Sequence, residues 1–261
     1  MGSWVSHLRI AELLLNHLTE VDRTAFTFGN LAPDSGLPNA NWTVFDPPKE
    51  ISHFLSAGSN ENNVQDLIFY RQYLQPCNRR QNPATYSFLL GYFVHLVSDR
   101  LWSNKIGKPS RQCYAELFAI HSEAKAWDII KEDWYGLDQL FVRSHPESLF
   151  WQVFLSQPIP LSPLPFVKQS AFEQQMQFIR TFYSQPSPHW QLDRPFPYLN
   201  EVSMKLYVEE TCACLVKILC LLPACPPPAA LTSATLLLSS IETEGFLPPL
   251  GDVPLNNDHS Q

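Results

Sequence analysis

The chain is short of charge. Only 16% of its 261 residues are Asp, Glu, Lys or Arg. No basic block occurs, and the net charge is -7, which excludes bulk binding to a nucleic-acid phosphate backbone. No apolar run is long enough to span a bilayer: the longest, SFLLGYFVHLVSDRLW at 87–102, is too short and too polar at its end. There is no internal repeat and no convincing alternating strand. The opening MGSWVSHLRIAELLLNHL lacks the basic start, uninterrupted apolar run and small-residue cleavage site of a secretory signal. These absences lead to the expectation of a cytoplasmic protein with no transmembrane segment. The six cysteines, at 77, 113, 212, 214, 220 and 225, include no CxxC pair. Without an export signal they read as buried free thiols rather than a disulfide framework, a metal site or a redox site.

What is present is apolar and aromatic. Hydrophobic residues make up 45% of the chain and aromatics 13%, enough for a substantial core. Helical periodicity dominates. Residues 4–18 put Ile10, Leu13, Leu14 and Leu18 on one stripe, and 62–75, 84–104, 110–131, 133–143, 147–155, 166–184 and 198–222 read as further helices. Residues 24–48, punctuated by Gly, Asn, Pro and Asp, read as a loop. From Pro223 the composition shifts to CPPPAA and PPLGDVPLNNDHSQ, with a short apolar patch between. The expectation is therefore an all-α multi-helix bundle over residues 1–222, followed by a Pro-rich, poorly ordered tail over 223–261.

The 87–102 segment is apolar all round, which places it at the centre of a bundle. Yet His95 and Asp99 project from one face of it, a turn apart. A buried carboxylate needs compensation. Arg100 points about 100° away round the helix and cannot supply it. A divalent cation can. Three other positions bear on that idea. His7 shares a helix side with Ile10, Ala11 and Leu14. Asp34 lies in FGNLAPDSG, and His53 in PKEISHF. Each has a bland reading: core packing for His7 and His95, an Asx-turn or cap for Asp34, a surface side chain for His53. Together they form a set of N and O ligands that suits zinc.

The ordered series SHLRIAE, FGNLAPDSG, PKEISHF and LLGYFVHLVSDRLW resembles the bacterial zinc-dependent phospholipase C family, which is all-helical and related to single-strand-specific zinc nucleases. The resemblance covers roughly residues 4–143. It implies that His7, Asp34, His53, His95 and Asp99 are metal ligands, with Asp99 bridging two ions and Asp34 also the general base. The sequence departs from the family at Lys105, where a histidine is usual, and at Lys125, which stands in place of the glutamate of a later HxxxE. His121, followed seven residues later by Asp128 near the same face of the 110–131 helix, and WYGLD at 134–138 resemble a cytoplasmic branch of the family, which implies that His121 and Asp128 are further metal ligands. One or two zinc ions are implied, three in the full family cluster. The implied reaction is hydrolysis of a phosphoester in a small molecule or lipid headgroup. Phe26, Phe28, Trp42 and Phe45 flank Asp34, and they read equally as a pocket lining or as pins for the loop. Two other readings stand beside the hydrolase. In one, a structural metal closes a non-catalytic binding module. In the other, no metal binds and Asp99 is satisfied by Arg9 or Arg71.

Overall fold

The structure is a computed structural model that describes residues 2–41, 43–56, 63–185, 190–244 and 250–251. It is mostly helical. The helices are α1 (Trp4–Leu15), α2 (Arg23–Leu31), α3 (Lys49–Ser52), α4 (Asp66–Phe69), α5 (Pro83–Trp102), α6 (Lys108–Cys113), α7 (Ala115–Ile120), α8 (Glu123–Ser144), α9 (Gln169–Ser184), α10 (Glu201–Ala224) and α11 (Ser240–Glu244). Short 3-10 turns at Ala32–Asp34 and Ala234–Leu237, π-helical turns at Tyr70–Leu74, Ser103–Gly107 and Phe150–Leu155, and one short antiparallel pair, β1 (Leu37–Pro38) and β2 (Phe45–Asp46), accompany them. Among those residues, no helix is long and apolar enough to cross a membrane.

Helix α5 is the axis of the fold. It starts at Pro83, whose missing N–H is one of the first-turn donors that no helix satisfies. From Ser87 to Trp102 every residue except Arg100 is buried. Helix α2 lies directly against it. A Cβ on Gly29 would sit 2.1 Å from the Phe88 carbonyl oxygen, and one on Gly91 would sit 2.2 Å from the Phe26 carbonyl oxygen. The two glycines let the backbones touch, which no larger residue permits.

Segment 24–48, read as a loop, is largely ordered structure. Asp22 caps α2 by accepting the Ala25 N–H, and Phe26, Phe28 and Leu31 bury the helix against the core. The glycine and asparagine that suggested a turn serve instead a close helix crossing. The 110–131 helix is also broken. Its backbone turns extended at His121, and Ser122 caps α8 through the Lys125 N–H. Helix α8 then runs unbroken to Ser144, through the position where a second helix was expected to begin. The expected tail is folded at least to Glu244. Asp66 accepts from Ser233 Oγ at 2.6 Å and the Ala234 N–H at 2.7 Å, and Arg71 donates to the Pro228 and Leu231 carbonyls. Residues 245–249 and 252–261 lie outside the described residues. Of the six thiols, only Cys212 and Cys214 are buried; Cys113, Cys220 and Cys225 are exposed, so the expectation of buried thiols holds for one pair alone.

Candidate metal centre

Five of the expected side chains converge. His7 comes from the first turns of α1, Asp34 from the short turn after α2, His53 from the end of α3, and His95 and Asp99 from α5. His7, His95 and Asp99 have ligand atoms within mutual reach of one ion, and so do Asp34, His53 and His95. The His7 Nε2 to Asp99 Oδ1 separation is 3.3 Å, His95 Nε2 to Asp99 Oδ2 is 3.3 Å, His53 Nε2 to Asp99 Oδ2 is 3.5 Å, and His53 Nε2 to Asp34 Oδ1 is 3.2 Å.

These separations carry chemical information. His7 Nε2, His53 Nε2, His95 Nε2 and Asp99 Oδ2 are all buried and make no hydrogen bond to the described residues. Buried polar atoms in this state are uncommon and costly. Two ligands held about 2.0–2.1 Å from a tetrahedral ion lie about 3.4 Å apart. The observed spacings straddle that value. The unpartnered atoms and their separations therefore fit a divalent cation between them.

The surroundings prepare the rings for that role. His95 Nδ1 lies 2.8 Å from the Asn30 carbonyl, which can only accept, so Nδ1 carries the proton and Nε2 presents its lone pair. His53 Nδ1 is 2.9 Å from Ser52 Oγ, and the Ser52 carbonyl is in turn held by the Tyr92 hydroxyl. The His7 and His95 rings stack 3.9 Å apart. The Gly2 backbone N–H donates to Asp99 Oδ1 at 2.8 Å. Phe54, just after His53, holds a φ of 52°, a conformation costly for a bulky residue, while its ring packs on Phe69 and Phe166.

The charges of the cluster depend on one another, and a bound cation would displace the proton that the carboxylates favour on His95. Burial opposes ionisation of Asp99, but His95 and His7 outweigh it and hold the carboxyl well below its usual range. Burial also opposes ionisation of Asp34, and contact with His53 and the charge of His95 bring it down to about 2. Burial and the neighbouring His95 lower the His7 imidazole. Burial works to lower His95 too, but the Asp99 and Asp34 carboxylates reverse the sign. Two buried carboxylates thus stay anionic beside a His7 that prefers to be neutral.

The cluster has an inner and an outer half. Asp34, Ser52 and His53 line a cavity of about 1210 Å³, whereas His7, His95 and Asp99 sit behind it, fully enclosed. Gly2, Ser3, Trp4 and Phe45 form part of the near wall, and Trp127, Asp128 and Tyr135 of α8 form part of the far wall.

Two expected ligands stand apart. His121 is exposed at the end of α7, and Asp128 is exposed on α8; neither joins the groups above. Their seven-residue spacing assumed one continuous helix, and the break at Ser122 removes it. Lys125 is exposed, and Lys105 turns away to pair with Glu210 at 2.6 Å. Arg71 is occupied by the C-terminal segment, and Arg9 lies over the Phe141 ring, so neither is the partner of Asp99. Phe26 and Phe28 are core residues that pin α2, while Phe45 lines the cavity; Trp42 lies outside the described residues. Asn30, Ser52 and Gly2 were not singled out from the sequence. They act through backbone groups or a short hydroxyl, which leave no motif, although Asn30 stands only four residues from Asp34. Compared with known proteins, the chain matches no family model, no curated protein and no solved structure.

Proposed function

We propose that the protein is a zinc-dependent hydrolase of phosphoester bonds, of the phospholipase C and zinc nuclease type. The observation that carries the reading is the set of unpartnered His7, His53, His95 and Asp99 atoms at tetrahedral separations, with Asp34 and His53 opening to a cavity. His7, His95 and Asp99 would hold an inner ion, and Asp34 and His53 would contribute to an outer one; His95, whose Nδ1 is engaged by Asn30, has only Nε2 to give and serves one ion. When bound, zinc supplies a Lewis acid that polarises a phosphoryl oxygen and lowers the pKa of water.

The chain does the rest. Asn30 and Ser52 fix the ring orientations, and the core around α5 keeps bulk water from the inner half. Asp34 is the candidate catalytic residue. Its carboxyl stays ionised down to about pH 2, so it is suited to orienting the attacking water rather than taking its proton. The cavity wall carries Lys49, Lys108 and Lys131 alongside Asp128 and Glu132, a mixed lining that does not by charge alone select an anion, and the large volume admits a small molecule beyond the phosphate itself. The substrate class is a phosphoester-bearing small molecule or lipid headgroup.

The enclosed inner half favours a second reading, in which a structural ion closes the bundle and no chemistry follows. One experiment separates the two. The protein is purified without chelator, its metal content is measured by native mass spectrometry, and phosphomonoesters and phosphodiesters are screened. The hydrolase reading expects one or two zinc ions, lost in His95→Ala and Asp99→Ala, and hydrolysis abolished by Asp34→Asn with the inner zinc retained. Zinc with no hydrolysis supports the structural reading. No metal even after zinc addition overturns both.

A further inference from the structure

The aspartate of the WYGLD stretch has no place in the chemistry above, yet Asp138 is among the most enclosed carboxylates in the fold. It accepts from Ser3 Oγ at 2.8 Å on one oxygen and from the Tyr183 hydroxyl at 2.7 Å on the other. Burial pushes its pKa up to about 7 despite those bonds. One of these two donors, Ser3, is the N-cap of α1. Asp138 therefore puts a carboxylate where the orphan N–H groups and the dipole of that helix favour one.

Residues 2–4 are what this anchoring controls. Ser3 caps α1, and its carbonyl accepts from Ser6 Oγ at 2.7 Å and from the His7 N–H at 3.2 Å. With Ser3 fixed, the Gly2 N–H falls on Asp99. The fit is tight: a Cβ on Gly2 would lie 2.9 Å from His7 Nε2. Trp4 is wedged among the rings of Tyr135, Phe178, Phe182 and Tyr183. The same three residues wall the cavity, so they stand between it and the His7–Asp99 pair.

We propose that Asp138 is a positioning residue for the metal centre, latching residues 2–4 through Ser3 so that they close over His7 and Asp99 and slow the exit of the inner ion. The inference rests on the metal reading for its consequence, and on geometry alone for the latch.

The test uses the full chain and three variants. Ser3→Ala and Asp138→Asn weaken the latch; Tyr183→Phe removes the other bond to Asp138 and leaves residues 2–4 untouched. Zinc-loaded protein is mixed with excess chromogenic chelator and release is followed by stopped flow. Amide hydrogen exchange is measured in parallel on zinc-free protein. The latch predicts release about tenfold faster in Ser3→Ala and Asp138→Asn, the factor one such hydrogen bond supplies, and near wild-type release in Tyr183→Phe. It also predicts faster exchange of the residue 5–7 amides with α5 unchanged. A purely structural role would instead lower the melting temperature and loosen α5 in all three. Wild-type release and wild-type exchange in folded Ser3→Ala overturn the proposal even if Asp138→Asn does not fold. If the wild type binds no zinc, the metal reading fails, and the exchange measurement alone upholds or overturns the latch.

Discussion

Replacing Gly91 by alanine puts one methyl group at the crossing of α2 and α5. The new carbon would lie 2.2 Å from the Phe26 carbonyl oxygen and 2.8 Å from the Asn30 nitrogen, where ordinary contact begins at 3.4 Å. Both neighbours are backbone, so no side chain can swing aside. The helices must part by about 1.2 Å, the shortfall from 3.4 to 2.2 Å. If α2 moves as a body, the His95 Nδ1 to Asn30 carbonyl distance grows from 2.8 to about 4.0 Å, too long for a hydrogen bond. Overpacking costs about 1–3 kcal/mol and the stranded ring nitrogen about 1–3 kcal/mol more. Alanine returns about 1 kcal/mol through its better helix propensity. The net expectation is a loss of about 1–5 kcal/mol in urea unfolding, with zinc affinity down by about tenfold as His95 loses its orientation. Gly29→Ala should behave alike, its methyl meeting the Phe88 carbonyl oxygen at 2.1 Å. A Gly91→Ala protein within about 0.5 kcal/mol of wild type and with unchanged zinc affinity would refute the argument that this crossing orients the ring.

Two further perturbations follow from buried charges away from the cluster. Burial raises the Asp66 carboxyl from 3.8 to about 6 against the bonds from Ser233 and Ala234, so the folded state holds this proton more tightly than the unfolded one. Its contribution is present below pH 4 and is lost as pH rises through 6, a loss of about 3 kcal/mol at most. Asp66→Asn should flatten the decline of the urea midpoint between pH 4.5 and 7.5 relative to wild type, and parallel curves would contradict the assignment. Lys105 is buried, with Glu210 as its charge partner at 2.6 Å. Glu210→Ala should cost about 2–4 kcal/mol by stranding the ammonium, while Lys105→Met with Glu210→Gln should cost much less; equal losses in the two proteins would count against a desolvation origin.

The central helix could be read because α5 is apolar on every side, a pattern only a core position explains. His95 and Asp99 stood out against it for the same reason. Ring partners across the chain were legible only as an ordered set, since nothing local tells a buried His53 from a surface one. The misreadings have specific causes. Gly29 and Asn30 look like turn residues, but the glycine admits a neighbouring backbone and the asparagine offers its carbonyl to His95. The apolar period that runs from Tyr114 past His121 continues across Ser122, so periodicity could not show that the serine side chain ends one helix and starts another. The proline-rich stretch after Pro223 has the composition of a tail, and only the distant Asp66 shows why it docks.

That docking also governs the order in which the molecule can be assembled. Asp66 waits for a serine 167 residues further on, and the Leu67 N–H waits for the Thr232 carbonyl. While the chain is being made, the seat around α4 stays open to water and its carboxylate lacks Ser233 and Ala234 until nearly nine-tenths of the sequence has emerged. The segment that looks most dispensable is therefore the one that completes the core, and a nascent chain halted before Pro228 should keep the amides of residues 66–71 in rapid exchange long after α2 and α5 have locked together.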